Sequence, residues 1–233
     1  MNLHIFYSHY NITSTDNKSR PSWFNYEQCF LNLLNTIKDN KNIYLHIIMD
    51  GKIDDNWISK YKQYYSYAEY TGGNMDAVTK FFYKYIKEFE CPETDLIYIL
   101  ENDYLHVPGW DDKVFDMFNT YDNLSYISLY DHNDKYFLPM YEDLVSKIIT
   151  TKTSHWRTTP STCGSYITSK KTLLEDYDDQ TGVTIPIGDH HKWLYLNEHK
   201  GRFILTPIPG LSTHCMQSLL SPTIDWEIIN NKI

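Results

Sequence analysis

The stretch DLIYILENDYLHVPGW, residues 95–110, decides how the rest of the chain is read. Its apolar run, 96–100, stops abruptly at Glu101, Asn102 and Asp103. An apolar run this short, bounded by polar residues, reads as a buried strand. Side chains alternate across a strand, so two carboxylates two residues apart point the same way. Glu101 and Asp103 can then share one hard divalent cation, directly or through water. Pro108-Gly109-Trp110 follows, and the spacing predicts a helix over 109–118.

The same alternation extends toward the N-terminus. Residues 3–8 and 43–49 are short apolar runs that read as strands, the second closed by Asp50-Gly51. Between them Trp23, Tyr26, Phe30, Leu33, Leu34 and Ile37 recur at helical spacing, with Ser22 as the expected N-cap. Residues 64–70 form a third strand candidate. Gly72-Gly73-Asn74 then opens a helix carrying Met75, Val78, Phe82, Tyr85, Ile86 and Phe89 along one side, ended by Pro92. Further on, 126–130 and 202–205 read as strands and 192–198 as a helix, and the tail from Ser218 has no clear pattern. Strands alternating with helices predict an α/β layer with a mostly parallel sheet. Ligands of such sheets sit outside the C-terminal ends of the strands, which is where Glu101 and Asp103 fall.

Composition narrows the function classes. The formal net charge of -9 argues against a nucleic-acid backbone as partner, because that polyanion needs a basic face. Aromatics make up 16% of the chain, with 21 Tyr, which suits sugar binding and ordinary core alike. Cys29, Cys91, Cys163 and Cys215 form no CxxC pair, so a zinc knuckle is not expected and reduced thiols in a cytoplasmic setting are. No signal peptide is read at the N-terminus, and no run approaches the ~20 apolar residues of a membrane span. His190-His191 lacks an HExxH or CxxC partner and is not read as a zinc site.

The order of motifs resembles that of the GT-A-type nucleotide-sugar glycosyltransferases. Members of that family begin with a strand, place an Asp after the second strand and carry a DxD-like motif at the end of a central apolar strand. A Pro-Gly-Trp-like helix start often follows, and a metal-binding His comes late in the chain. The matching positions here are 3–8, Asp50, Glu101-Asn102-Asp103 with Pro108-Gly109-Trp110, and His214 in LSTHCM, so the resemblance covers roughly residues 1–216. Glu101 departs from the pattern, where the family has Asp, and leaves Asp103 as the expected direct ligand.

The resemblance implies a GT-A-like mixed sheet flanked by helices in a single domain over 1–233. Its nucleotide-binding half would run to about 125 and its acceptor or catalytic half from 126. It implies Mn²⁺ or Mg²⁺ on Asp103 and His214, a UDP-, GDP- or dTDP-sugar donor and a glycan acceptor. Tyr7, His9, Asp50, Asn74, Glu101 and Asn102 fall on the donor side. Asp189, at the start of a late helix, matches the general base of inverting members, and also reads as a helix N-cap. Asp131, Trp156 and Arg157 are candidates for the acceptor or sugar: Trp156 by stacking, Arg157 by pairing with a diphosphate or acidic sugar.

Two other functions start from the same residues. A metal-dependent nucleotidyltransferase uses a similar sheet and carboxylate pair, but with a Gly-rich basic loop after the first strand; here that loop, SHYNITSTDNKSR, has no glycine. A non-catalytic carbohydrate-binding module fits the Tyr and Trp content but gives no reason for carboxylates at a strand end plus a late His.

Overall fold

The structure is a computed structural model and describes residues 1–10, 18–50, 57–70 and 74–232. Gly51, Gly72 and Gly73, read above as turn and helix-opening glycines, lie outside the described residues. The first half runs β1 (Leu3–Tyr10), α1 (Tyr26–Ile37), β2 (Ile43–Asp50), β3 (Tyr65–Tyr70), α2 (Met75–Glu88), β4 (Leu96–Glu101), β5 (Tyr104–His106) and α3 (Trp110–Thr120). The second half runs β6 (Tyr126–Ile127), β7 (Ile148–Thr150), β8 (His155–Thr159), β9 (Tyr166–Ser169), α4 (Lys170–Glu175), α5 (Tyr177–Gln180), α6 (His191–Lys200), β10 (Ile204–Ile208), β11 (Ser212–His214) and α7 (Trp226–Asn230).

Nine strands form one sheet in the order β3-β2-β1-β4-β9-β6-β10-β8-β7, with β8 and β9 running against the rest. The expected mixed, mostly parallel α/β sheet flanked by helices is therefore the observed architecture. The chain lays β2 and β3 to one side of β1 and then returns to lay β4 on the other. That reversal leaves a crevice beyond the C-terminal ends of β1 and β4, the usual ligand position in open α/β sheets. In register, Ser8 lies opposite Glu101 and Tyr10 opposite Asp50 at this edge.

Strand periodicity builds a core on each face of the sheet. Leu3, Ile5 and Tyr7 of β1 and Leu96, Tyr98 and Leu100 of β4 pack with Phe30, Leu33 and Trp110 from α1 and α3. The alternate residues Phe6, Ile97 and Ile99 pack with Phe82 and Ile86 of α2 and Trp193 and Leu196 of α6. A smaller cluster of Cys29, Leu105, Cys215 and Trp226 folds the C-terminal segment back onto α1 and β5. Among the described residues no helix is long and apolar enough to cross a membrane.

Several expected boundaries move. α1 starts after Asn25, whose side chain accepts from the Gln28 amide at 3.2 Å, so Asn25 rather than Ser22 is the N-cap. The polar segment 155–169 contains two strands, and the tail contains a short helix.

On the helical face away from the crevice, Asp176 is wholly buried. It accepts from Tyr126 Oη at 2.7 Å, Arg202 Nε at 2.8 Å and Lys200 Nζ at 3.2 Å, tying α5 to α6, β6 and the start of β10. Asp176→Asn removes the charge that holds two cations there. Allowing for the solvent that reaches Lys200 and Arg202, the expected loss is about 2 kcal/mol in a urea melt. An unchanged midpoint would mean that the network contributes nothing to stability.

Candidate active site

The turn after β4 places Asp103 at the crevice, 2% exposed. A two-stranded ribbon delivers its partner. β11 pairs antiparallel with β5, setting His214 opposite Tyr104, and the two rings stack at 5.2 Å and 7°. His214 Nε2 then lies 2.9 Å from Asp103 Oδ2. The same oxygen accepts from Lys18 Nζ at 3.0 Å and Arg20 Nη2 at 2.9 Å. Burial alone would raise the Asp103 carboxyl. The hydrogen bond and charge of His214, with the charges of Lys18 and Arg20, outweigh it and hold this group well below the usual carboxylate range.

Glu101 turns toward the loop before β9. Its amide donates to Ser165 Oγ at 3.1 Å. A Cβ on Gly164 would meet the Glu101 carboxyl carbon at 3.2 Å, so glycine there lets the carboxylate lie against the loop backbone. Burial, then the charge of Asp103, raises the Glu101 carboxyl, while His214 and Lys18 oppose the rise.

Asp189 stands just before α6, whose N-cap is His190 without a side-chain capping bond. Asp189 is thus not spent on capping, the other reading of its position. The residue is exposed, yet the surrounding protein raises its carboxyl by desolvation, against Lys192 and His214.

Other expected site residues are placed differently. Trp156 has 0% exposure and presents no ring face to a sugar. Arg157 is 5% exposed, and its guanidinium donates to Asp131 Oδ1 at 2.6 Å, while Tyr136 Oη donates to Asp131 Oδ2 at 2.7 Å. Asp131 and Arg157 are therefore a buried ion pair between two segments of the second half, and neither lines an acceptor surface. Tyr7 and His9 lie within β1 and are buried against Phe30 and Trp57 respectively. They have no face to offer a base. Asn74 spends its side-chain oxygen on the Ala77 amide at 2.9 Å as the N-cap of α2. Asn102 is buried in the turn after β4, its carbonyl 3.5 Å from Tyr7 Oη. Asp50 closes β2 at the crevice edge and is 6% exposed.

Sequence reading missed the cations and the half-buried aromatics beside them. Phe24, Tyr26 and Trp57 line, with Arg20, Asn25 and Glu27, a cleft of about 420 Å³. The Arg20 guanidinium lies 4.4 Å over the Phe24 ring while it reaches Asp103, so it joins this cleft to the carboxylate. Lys192 on α6 was missed as well. The available signal was position: basic residues in the connection after the first strand, at the same end of the sheet as Glu101 and Asp103.

The donor set suits a hard cation. Asp103 Oδ1 is buried with no hydrogen-bond partner among the described residues, and an imidazole and a second carboxylate stand beside it. Among the described residues no three His, Cys, Asp or Glu side chains form a ready-made metal cage. A cation here would take only one or two ligands from the protein, as Mg²⁺ commonly does beside phosphates.

No protein-family model matches the chain, and no curated protein matches it. Solved structures do. TarS residues 1–349 from S. aureus align with a TM-score of 0.50 at 11% identity, over 88% of this chain and 58% of that one. The 4-diphosphocytidyl-2C-methyl-D-erythritol synthase of Anaerococcus prevotii aligns with a TM-score of 0.51 at 12% identity, over 99% of this chain and 95% of that one. Galactosyltransferase LgtC, solved with donor and acceptor sugar analogs, aligns at 0.46 and 9% identity over 82% and 69%. The fold is the mixed α/β fold of GT-A and nucleotidyltransferase-like proteins.

Proposed function

We propose that the chain is a metal-dependent glycosyltransferase that moves a sugar from a nucleoside-diphosphate sugar to a hydroxyl of a glycan or other acceptor. The observation that carries this reading is the pairing of Asp103 with His214, 2.9 Å apart, at the crevice beyond β1 and β4. Asp103, through Oδ1, and His214 would hold Mn²⁺ or Mg²⁺. When bound, the cation supplies positive charge to the leaving diphosphate. Lys18 and Arg20 are the protein's own cations at the same oxygen and stand ready for the phosphates. The nucleobase, of a UDP-, GDP- or dTDP-sugar, lodges in the aromatic cleft of Phe24, Tyr26 and Trp57, with Asp50 at its edge.

Asp189 accepts the proton of the acceptor hydroxyl. The acceptor oxygen forms its bond to the anomeric carbon while the bond from that carbon to the diphosphate oxygen breaks. The electron pair leaves with the nucleoside diphosphate. Asp189 serves as a base and no side chain is assigned as a nucleophile, so the reading is inversion.

The test is a thermal-shift panel of UDP, GDP, dTDP, CMP and CTP, each with Mn²⁺, Mg²⁺ or EDTA, on wild type and Asp103→Ala. A ligand that binds only the folded state raises its melting temperature. One nucleoside diphosphate should give a shift that needs metal and disappears in Asp103→Ala. A panel with no shift sinks the reading and leaves glycan binding without catalysis.

Nucleotidyl transfer is kept as the second reading because Lys18 and Arg20, from the connection after β1, converge on Asp103, where a triphosphate would need cations. A shift with CTP and none with any diphosphate would select it.

A further inference from the structure

α6 carries a lysine that the chemistry above leaves unused. Lys192 is 5% exposed, and its ammonium lies 4.8 Å from the Trp193 ring centroid and 5.8 Å from that of Tyr166. Among the described residues no carboxylate lies within ion-pair distance of it, although the chain has an excess of acidic groups. A buried ammonium without a counter-ion is costly, and sites that keep one commonly keep it for a ligand. Desolvation brings its pKa down to about 8, against the pull of the Asp189 carboxylate.

The start of α6 locates it. Cys163 Sγ is 2.7 Å from Tyr104 Oη, and the Tyr104 ring stacks on His214. Asp189 precedes Lys192 by three residues at the entry to α6, and the next residue, Trp193, donates from Nε1 to the Thr162 carbonyl at 2.5 Å, so this end of the helix lies against the loop that carries Cys163 and Gly164. Lys18 and Arg20 contact Asp103, and Lys192 stands in the first turn of the helix that Asp189 precedes.

We infer that Lys192 receives a negatively charged group of the acceptor, a sugar carboxylate or a phosphate, beside the hydroxyl that Asp189 deprotonates. This rests on the transferase reading and deepens it by naming an acidic acceptor. The two cationic positions divide the work: the donor's diphosphate is met on one side of the crevice and the acceptor's anion on the other. An ammonium lodged against two aromatic rings is held in place before the ligand arrives, so little ordering remains to be done on binding.

The experiment applies labelled full-length chain, with the nucleoside diphosphate from the panel, to arrayed neutral, carboxylate-bearing and phosphate-bearing glycans. Wild type should bind one acidic class over its neutral counterpart, and the class bound tells carboxylate from phosphate. Lys192→Met should lose that binding by more than roughly tenfold, as expected when one partner of a desolvated charge pair is removed. Lys192→Arg should keep most of it. Lys192→Met should also melt at or above the wild-type temperature, since it removes an unpaired buried charge, and should keep the wild-type response to nucleoside diphosphate. Equal binding to neutral glycans, binding that survives Lys192→Met, or no glycan bound at all overturns the inference. So does a lower melting temperature in Lys192→Met with glycan binding unchanged, which would make the lysine a packing element. Loss of the nucleoside diphosphate response in wild type strikes at the transferase reading instead, so the two failures are told apart.

Discussion

Asp189→Asn should bind the nucleoside diphosphate as wild type does and transfer sugar roughly 10²- to 10⁴-fold more slowly. Asparagine keeps the size of the side chain but cannot accept the acceptor's proton at neutral pH. The residue makes no capping bond at α6, so the substitution should leave the helix start unaltered. Donor affinity should also hold, because the cations at the donor side contact Asp103 and not Asp189. A single-turnover transfer assay beside a donor titration separates the two effects. Transfer at the wild-type rate would remove Asp189 from the chemistry. Equal loss of donor binding and rate would make it a donor-site residue.

The fold should also be acid-labile well above the range of its carboxylates. His106 has 0% exposure, and burial alone takes its pKa to about 3. His46 is brought to about 4 by burial and by the charge of His4, which is itself lowered by burial against the pull of Asp95. His132 is lowered well below the ordinary value by burial, with Lys135, His214 and Arg157 adding to it. In the unfolded chain each of these imidazoles takes up a proton near pH 6.5. In the folded chain they resist it, so between pH 6.5 and about 4 the unfolded state binds more protons, and stability falls as pH falls.

By the same linkage His46 accounts for up to about 3 kcal/mol and His106 for up to about 5 kcal/mol across their windows. That is comparable with the whole stability of an ordinary domain, roughly 5–15 kcal/mol. Asp95 and Asp103, whose carboxyls are held low by their partners despite burial, add to the loss only at still lower pH. Urea melts at stepped pH should therefore show the midpoint sliding from about pH 6 downward. His46→Phe replaces an imidazole that already stacks on Phe6 at 4.9 Å, and should flatten part of that slide. A midpoint constant from pH 7 to 5 would contradict the prediction.

Local pattern carried the first half of the fold and lost its grip in the second. The run 96–100 became β4 with one residue added, and 43–49 became β2 in the same way, because buried parallel strands are continuous apolar runs. Strand β8 reads His-Trp-Arg-Thr-Thr, where polar residues are buried by partners far away in sequence, so the run looks like a loop. Arg157 is the clearest case: its charge suggested a ligand, and its partner proved to be Asp131. Tyr7 and His9 misled for the opposite reason: Tyr7 lies inside the apolar run and His9 in the two residues by which β1 outlasts it, and both are buried in the core. The turn bearing Glu101 and Asp103 was legible because a strand end is a local feature. The cations on Asp103 come from 83 and 85 positions away, and no periodicity marks such a meeting.

The ribbon of β5 and β11 has a consequence for the newborn chain. Asp103 and His214 are 111 positions apart, and this short ribbon brings the strands that carry them together. A ribosome-bound or clipped chain ending before β11 would contain every strand of the large sheet and still lack half of the pair. Contacts that distant in sequence close late in folding. On the proposed reading, competence to bind a metal–nucleotide complex would thus become a certificate of completed synthesis, withheld from every shorter or half-folded version of the molecule.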